Sequence, residues 1–175
     1  LGKEKTKISA LKVIKELDAG PIYLKKDLSL HGSAEDIFIR ANSIIELMII
    51  EIIEKNFKST GLFNPIKKEA FVQKSDIAHL KPRFEDWRLI KAQALVTGKL
   101  LVKDEKLKVE FRLWDLTAAK EMTALAFTTT PSNWRRVAHI ISDKIYERLT
   151  GEEGYFDTRI IYVAENGPKN QRVKK

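Results

Sequence analysis

The sharpest alternation of apolar and polar positions runs from Lys106 to Leu116. There Leu107, Val109, Phe111 and Leu113 take turns with Lys108, Glu110 and Arg112. A two-residue period puts one face of a strand in a core and the other in solvent. The run "ALVTGKLLV" (94–102) precedes it, with Asp104-Glu105 as the hairpin turn, and "EMTALAFTTT" (121–130) follows, entered through "TAAK". Three such runs joined by short turns predict an antiparallel meander.

Elsewhere the period lengthens to that of a helix. Ser33 in "HGSAED" can cap a helix with its hydroxyl, and Glu35 and Asp36 bring negative charge to the first turn, where the helix dipole favours it. The pattern continues to Lys58, ahead of Gly61. At 100° per residue Phe38, Ala41, Ile45, Met48, Ile49 and Ile52 share one broad face, while Leu47 and Ile50 fall among Ser43, Glu46 and Glu54. Two accounts fit that second apolar side: another interface, or a core helix covered by residues 1–30. Arg40, Glu46 and Glu51 interrupt the stretch 37–54, whereas a membrane-spanning helix needs about 20 nearly uncharged residues. "PRFEDWRLIKAQ" predicts a short helix with Trp87 and Ile90 facing inward. The last helix is the clearest. Pro131 precedes it, Ser132 or Asn133 caps it, Gly151 stops it, and Trp134, Ala138, Ile141, Ile145 and Leu149 recur at helical spacing. Residues 1–20 fit either a short helix from Leu11 to Leu17 or a strand at "LKVI", and "GPIYL" is a turn into an extended run. The sum is an α+β domain with helices packed on one face of a mostly antiparallel mixed sheet.

Composition narrows the chemistry. The 175 residues are 43% hydrophobic and 32% charged, with a formal net charge of +8. A basic balance admits nucleic acid or an anionic surface, but much of the lysine lies at the two ends, in "LGKEKTK" and "NQRVKK". The absence of cysteine excludes disulfides, thiolate zinc sites and cysteine nucleophiles together. His31, His79 and His139 lie in three separate segments without metal-ligand spacing, and His139 reads as a half-buried helix residue. There is no phosphate-binding glycine loop and no GxSxG elbow. Glu85, Asp86, Asp104, Glu105 and Asp115 read as solvated surface. In "NWRRVAHIISDK" the two arginines either meet phosphate or are solvated beside a core Trp134. No catalytic residue, metal or cofactor is expected. Binding is the default.

The segment "NWRRVAHIISDKIYERLTGEEGYFDTRIIYV" (133–163) closely resembles the end of the amino-terminal domain of the TolB family, the periplasmic component of the Tol-Pal system of Gram-negative bacteria. Arg136, Ala138, His139, Asp143, Tyr146, Glu147, Gly151, Gly154, Phe156 and Thr158 stand where that pattern expects them. Two further blocks agree in order and spacing: "STGLFNPI" (59–66), and "FEDWRLIKAQALVTGKL" with "KVEFRLWD". The resemblance implies a fold similar to anticodon-binding domains. It divides the chain into an N-terminal segment 1–30 that is free to move, the domain proper at 31–158, and the start of a linker or first propeller strand at 159–175.

The resemblance also implies a partner. In the family the extreme N-terminus contacts the C-terminal domain of TolA, and Pal binds a C-terminal β-propeller that these 175 residues do not include. Mapped here, the contact falls on Leu11, Val13, Ile14 and Leu17. The implied role is non-enzymatic protein–protein interaction in the periplasm, serving envelope maintenance and cell division. The competing reading is a stand-alone basic α+β domain that binds nucleic acid or another acidic partner.

Overall fold

Leu107, Val109, Phe111 and Leu113 all point into the main core, and Leu113 is fully buried. The structure, a computed structural model, describes residues 3–11, 21–74, 80–104, 106–158, 165–166 and 173–174. In chain order the elements are β1 (Lys5–Leu11), β2 (Ile22–Ser29), α1 (Ala34–Thr60), α2 (Phe84–Leu89), β3 (Ala94–Lys103), β4 (Lys106–Asp115), β5 (Lys120–Thr129), α3 (Trp134–Thr150), β6 (Glu165–Asn166) and β7 (Val173–Lys174). Short 3₁₀ turns lie at Lys68–Ala70 and Pro131–Asn133.

The expected meander is present: β3, β4 and β5 form one antiparallel sheet with β4 central. The register sets Val96 opposite Leu113, Leu100 opposite Val109 and Val102 opposite Leu107, so one face of β3 and β4 is apolar. Phe127 lies opposite Val109 and stacks on Phe111 at 6.2 Å between ring centroids. Against this face pack α1 and α3, through Met48, Ile49 and Ile52 on one helix and Ala138, Ile141 and Ile145 on the other. A second, smaller core forms on the opposite face. Leu95 and Trp114, paired across β3 and β4, sit one position out of phase with Leu113, and α2 covers them with Trp87 and Phe84. Trp114 donates its indole N–H to the buried Thr97 hydroxyl at 3.0 Å.

The extended run expected after "GPIYL" is present as β2, and β1 lies ahead of the helix or strand expected within residues 11–17, of which 12–17 lie outside the described residues. β1 and β2 pair antiparallel from Lys5 opposite Ser29 to Ala10 opposite Leu24, with a bulge before Leu11, which lies opposite Ile22. Ala10 and Leu24 join the main core, and Lys26 reaches Glu51 on α1 at 2.8 Å. The hairpin is therefore laid on α1.

α1 begins as expected and buries less than expected. Ser33 and Asp36 form a reciprocal capping box, the Ser33 hydroxyl accepting from the Asp36 N–H and the Asp36 carboxylate from the Ser33 N–H. Those donors hold the Asp36 carboxyl below the usual carboxylate range. Gly61, at φ 73°, ends the helix in the left-handed conformation that glycine adopts without penalty. The 27 residues span about 40 Å, whereas the 17 of α3 span about 26 Å. Burial accordingly concentrates in the C-terminal half, from Met48 to Phe57, and Phe38 is 68% exposed rather than inward. Leu47 remains 49% exposed, so the hairpin does not cover that side.

At the start of α3 Asn133 takes the N-cap position, as one of the two expected residues, but its side chain makes no capping hydrogen bond to the helix. Asn133 donates its amide to the Thr129 and Thr130 hydroxyls, and the 3₁₀ turn at Pro131 leads directly into the helix.

Leu113→Ala should lower stability by about 2–5 kcal/mol, the usual result of opening a cavity in a core that cannot collapse. Leu101→Ala, on a side chain 51% exposed, should change it by less than about 0.5 kcal/mol. Urea denaturation of the two variants measures both.

Candidate functional site

Of the four residues expected at a partner contact, Leu11 closes β1 with its backbone opposite Ile22. Val13, Ile14 and Leu17 lie outside the described residues. What the structure shows is how both ends of their connection are held. On the β2 side, the bulge leaves Tyr23 between Ile22, paired with Leu11, and Leu24, paired with Ala10. The Tyr23 ring meets three side chains from the two long helices. Lys55 on α1 places its ammonium 5.3 Å from the ring centroid, Arg135 on α3 places its guanidinium at 5.5 Å, and the His139 ring stands edge-on at 6.5 Å. Cations over an aromatic face are attracted by its negative quadrupole.

Behind Tyr23, the helices are joined by polar groups. Asn56, buried on α1, donates its side-chain amide to the Ser142 hydroxyl at 2.8 Å, and Ser142 donates in turn to the Ala138 carbonyl. The same amide nitrogen lies 3.1 Å from His139 Nδ1. Because an amide nitrogen only donates, Nδ1 accepts and the proton of the neutral imidazole sits on Nε2. Nε2 is buried and finds no hydrogen-bond partner among the described residues. Burial depresses the His139 pKa, and the Arg135 charge adds to this, while Asp157 and Asp143 pull weakly the other way. Sequence reasoning placed His139 correctly as half-buried but missed Asn56. The signal was available: Asn56 follows Ile49 by seven residues and Ile52 by four, so it is a polar residue in phase with the apolar stripe.

The far end of the helix pair is closed by aromatic rings from separate parts of the sequence. Phe63, in "STGLFNPI", sits edge-on to Phe57 at 5.0 Å and to Tyr146 at 6.1 Å. Phe156 meets the same two rings at 6.0 and 5.8 Å. Asp143 fastens the segment that carries Phe156. Its carboxylate accepts the N–H groups of Phe156 at 2.6 Å and Asp157 at 3.0 Å, and Asp157 pairs with Arg136 at 3.1 Å. Gly154 lies directly on Asp143, where an added Cβ would come within 2.4 Å of its Cα.

Among the described residues no group of three or more His, Cys, Asp or Glu side chains is arranged to hold a metal ion. An open hollow beside α1, lined by Glu51, Lys55, Lys58, Pro65 and Lys68, mixes both signs of charge. No helix among the described residues is long and apolar enough to cross a membrane.

Two long helices on an antiparallel meander, with a hairpin laid across one helix, define an α+β domain whose polar junction ties elements together. Residues 38–122 match the family model of the TolB amino-terminal domain. The chain is 72% identical over 124 residues to the Tol-Pal system protein TolB of Pelagibacter ubique, an alignment covering 71% of this chain and 28% of the relative. The crystal structure of TolB from Acinetobacter baumannii superposes with a TM-score of 0.61 at 25% identity, covering 67% of this chain and 29% of that one. The chain carries a TolB amino-terminal domain over residues 38–122. It spans little more than a quarter of the length of the relatives it matches.

Asn56→Ala should cost about 1–3 kcal/mol, because it leaves His139 Nδ1 without its donor and removes one of the two partners of the buried Ser142 hydroxyl. Chemical denaturation measures this against Asn64→Ala, an exposed control. Gly154→Ala should destabilise more than Gly151→Ala. The second adds a left-handed penalty of about 1 kcal/mol in open space, whereas the first must displace backbone of α3 and adds about 1–3 kcal/mol of overpacking. Thermal unfolding of the pair gives the order.

Proposed function

We propose that this chain is the amino-terminal interaction domain of a TolB-type protein of the Gram-negative periplasm. In this reading it works without catalysis, as part of the Tol-Pal system in envelope maintenance and cell division. Its contact with the C-terminal domain of TolA runs through the connection between β1 and β2, on Leu11, Val13, Ile14 and Leu17. Pal engages the protein only through a propeller beyond these residues. The domain proper is residues 31–158, and residues 1–30, whose hairpin packs into the same core through Ala10 and Leu24, carry the contact.

The observation that supports the location is the hairpin. The pairing of Leu11 with Ile22 holds the two ends of the connection side by side, and the sequence between them carries apolar side chains among lysines. An apolar sequence carried between two paired strands suits addition to an exposed sheet edge of a partner, where backbone hydrogen bonds supply affinity and alternate side chains supply specificity.

The triple substitution Val13→Asp, Ile14→Asp, Leu17→Asp should weaken binding to the TolA C-terminal domain at least about tenfold, which is about 1.4 kcal/mol. The measurement is an NMR titration at moderate salt, with shifts expected at residues bordering the connection. Equal affinity of variant and parent would remove the contact from this segment. Substitution is preferable to deleting residues 1–18, which would strip β1 from β2 and uncover Leu24.

A further inference from the structure

The meander has two outer strands, and they differ. β5 breaks its register against β4 with a bulge at Met122, between Glu121 opposite Trp114 and Thr123 opposite Leu113. A bulge twists an outer strand and spoils it as a template for another. β3 has no such device. All 10 of its residues pair with β4 in one unbroken register, from Ala94 opposite Asp115 to Lys103 opposite Lys106. In an antiparallel pair, alternate N–H and C=O groups of an outer strand point away from its neighbour. Among the described residues no backbone hydrogen bond reaches β3 from any element but β4. Gly98, in the middle of the strand, is exposed, and with no side chain there it is the backbone that water reaches. An added Cβ would come within 3.2 Å of the Glu110 carbonyl, which accounts for the glycine inside the sheet and leaves the edge open at that point.

The two faces of that edge differ in chemistry. On the side of the main core lie Val96, Gly98, Leu100 and Val102, with no charge among them, and Val96 is still 38% exposed. On the opposite face Lys99 and Lys103 are exposed, beside Lys106 and Lys108 of β4. Glu110 holds Lys108 at 2.6 Å, whereas no ion pair among the described residues engages Lys99 or Lys103. Asp104 and Glu105 fall between the two strands, past the end of β3. Lysine commonly protects a sheet edge, and a charge that points toward the core blocks any added strand. The lysines of β3 point the other way, so they select by charge instead. A second copy of this chain, at a net +8, would bring more lysine to the same face. An acidic strand would find partners there.

We propose that the free edge of β3 accepts an extended segment of a partner protein in which apolar and acidic residues alternate, so that the segment joins the 3-stranded sheet as an added strand. The two-residue period of any strand places its apolar side chains beside Val96, Leu100 and Val102, and its carboxylates beside Lys99 and Lys103. Backbone hydrogen bonds supply the affinity, and the alternation sets the choice of partner. This contact is separate from the one at the β1–β2 connection. There the domain offers a segment; here it receives one.

The test uses the 175-residue chain and capped peptides as long as β3, 10 residues each. One alternates valine and glutamate, another alternates valine and lysine, and a control has the first composition with its glutamates grouped together. NMR titration at low salt locates binding, and amide exchange reads the pairing. The valine–glutamate peptide should bind saturably, with shifts concentrated on β3 and alternate β3 amides gaining about tenfold in protection. Its affinity should fall as salt rises, and the other peptides should bind at least about tenfold more weakly. The double substitution Lys99→Glu, Lys103→Glu should weaken the valine–glutamate peptide at least about tenfold and admit the valine–lysine one. Val96→Lys turns a charge toward the core side at an exposed position, and should abolish binding while the thermal midpoint stays near the parent's. If that variant does not fold, the lysine pair decides. Absence of saturable binding, shifts away from β3, or equal affinity for all the peptides overturns the proposal. Protection of every β3 amide in the free chain also overturns it. Protection that grows with protein concentration gives the edge to a second copy, and protection independent of concentration gives it to the chain itself.

Discussion

Everything in this domain depends on how closely α1 can approach α3. Ala138 and Ser142, both fully buried, present only small side chains on the α3 surface that faces its neighbour. Each replaces a bulk that would hold the helices apart, and the space they leave admits Met48, Ile52 and the Asn56 side chain. The hydroxyl of Ser142 then solves a problem that proximity creates. A polar group buried between helices costs free energy unless it is bonded, and Ser142 both accepts from Asn56 and donates to Ala138. The junction is held by shape and by hydrogen bonding together.

Once the helices are fixed, the remaining parts have surfaces to meet. The apolar face of β3, β4 and β5 packs beneath the pair, and the β1–β2 hairpin lies on α1. The aromatic cluster of Phe57, Phe63, Tyr146 and Phe156 closes the end of the pair, drawing in the loop after α1 and the segment after α3. Edge-on aromatic contacts of this kind are directional as well as apolar. They register the two loops against each other, where bulk hydrophobicity alone would leave them free to slide. The small core under α2 is separate, and its polar atoms are met locally by Gln73, Thr97 and the Leu116 carbonyl.

The parts that could be read from sequence are those where one period runs uninterrupted. β4 alternates strictly from Leu107 to Leu113, and α3 keeps helical spacing from Trp134 to a stop at Gly151. The hairpin hid because its inward positions, Ile8, Ala10, Leu24 and Leu28, sit among Lys5, Lys7, Lys25 and Lys26, and a bulge breaks the phase beside Leu11. Phe38 shows a different gap. Periodicity fixes which face of a helix is apolar, but the reach of the partner decides how much of that face is covered, and α3 is shorter than α1. The candidate site was legible as a segment and as a half-buried histidine. The groups that give His139 its character, Asn56 and Tyr23, lie 83 and 116 residues away in the chain, and only the fold brings them together.

Asp143 and Gly154 have a consequence for the stretch that follows the last long helix. Helix α3 ends at Thr150, but its grip on the chain extends to Asp157 through two backbone hydrogen bonds, one ion pair and a glycine that nothing larger can replace without moving the helix. A chain leaving a domain through a loose loop is a tether, and what it carries can swing. Here the stretch up to Asp157 is fastened to the helix itself, so it turns with α3 as one body.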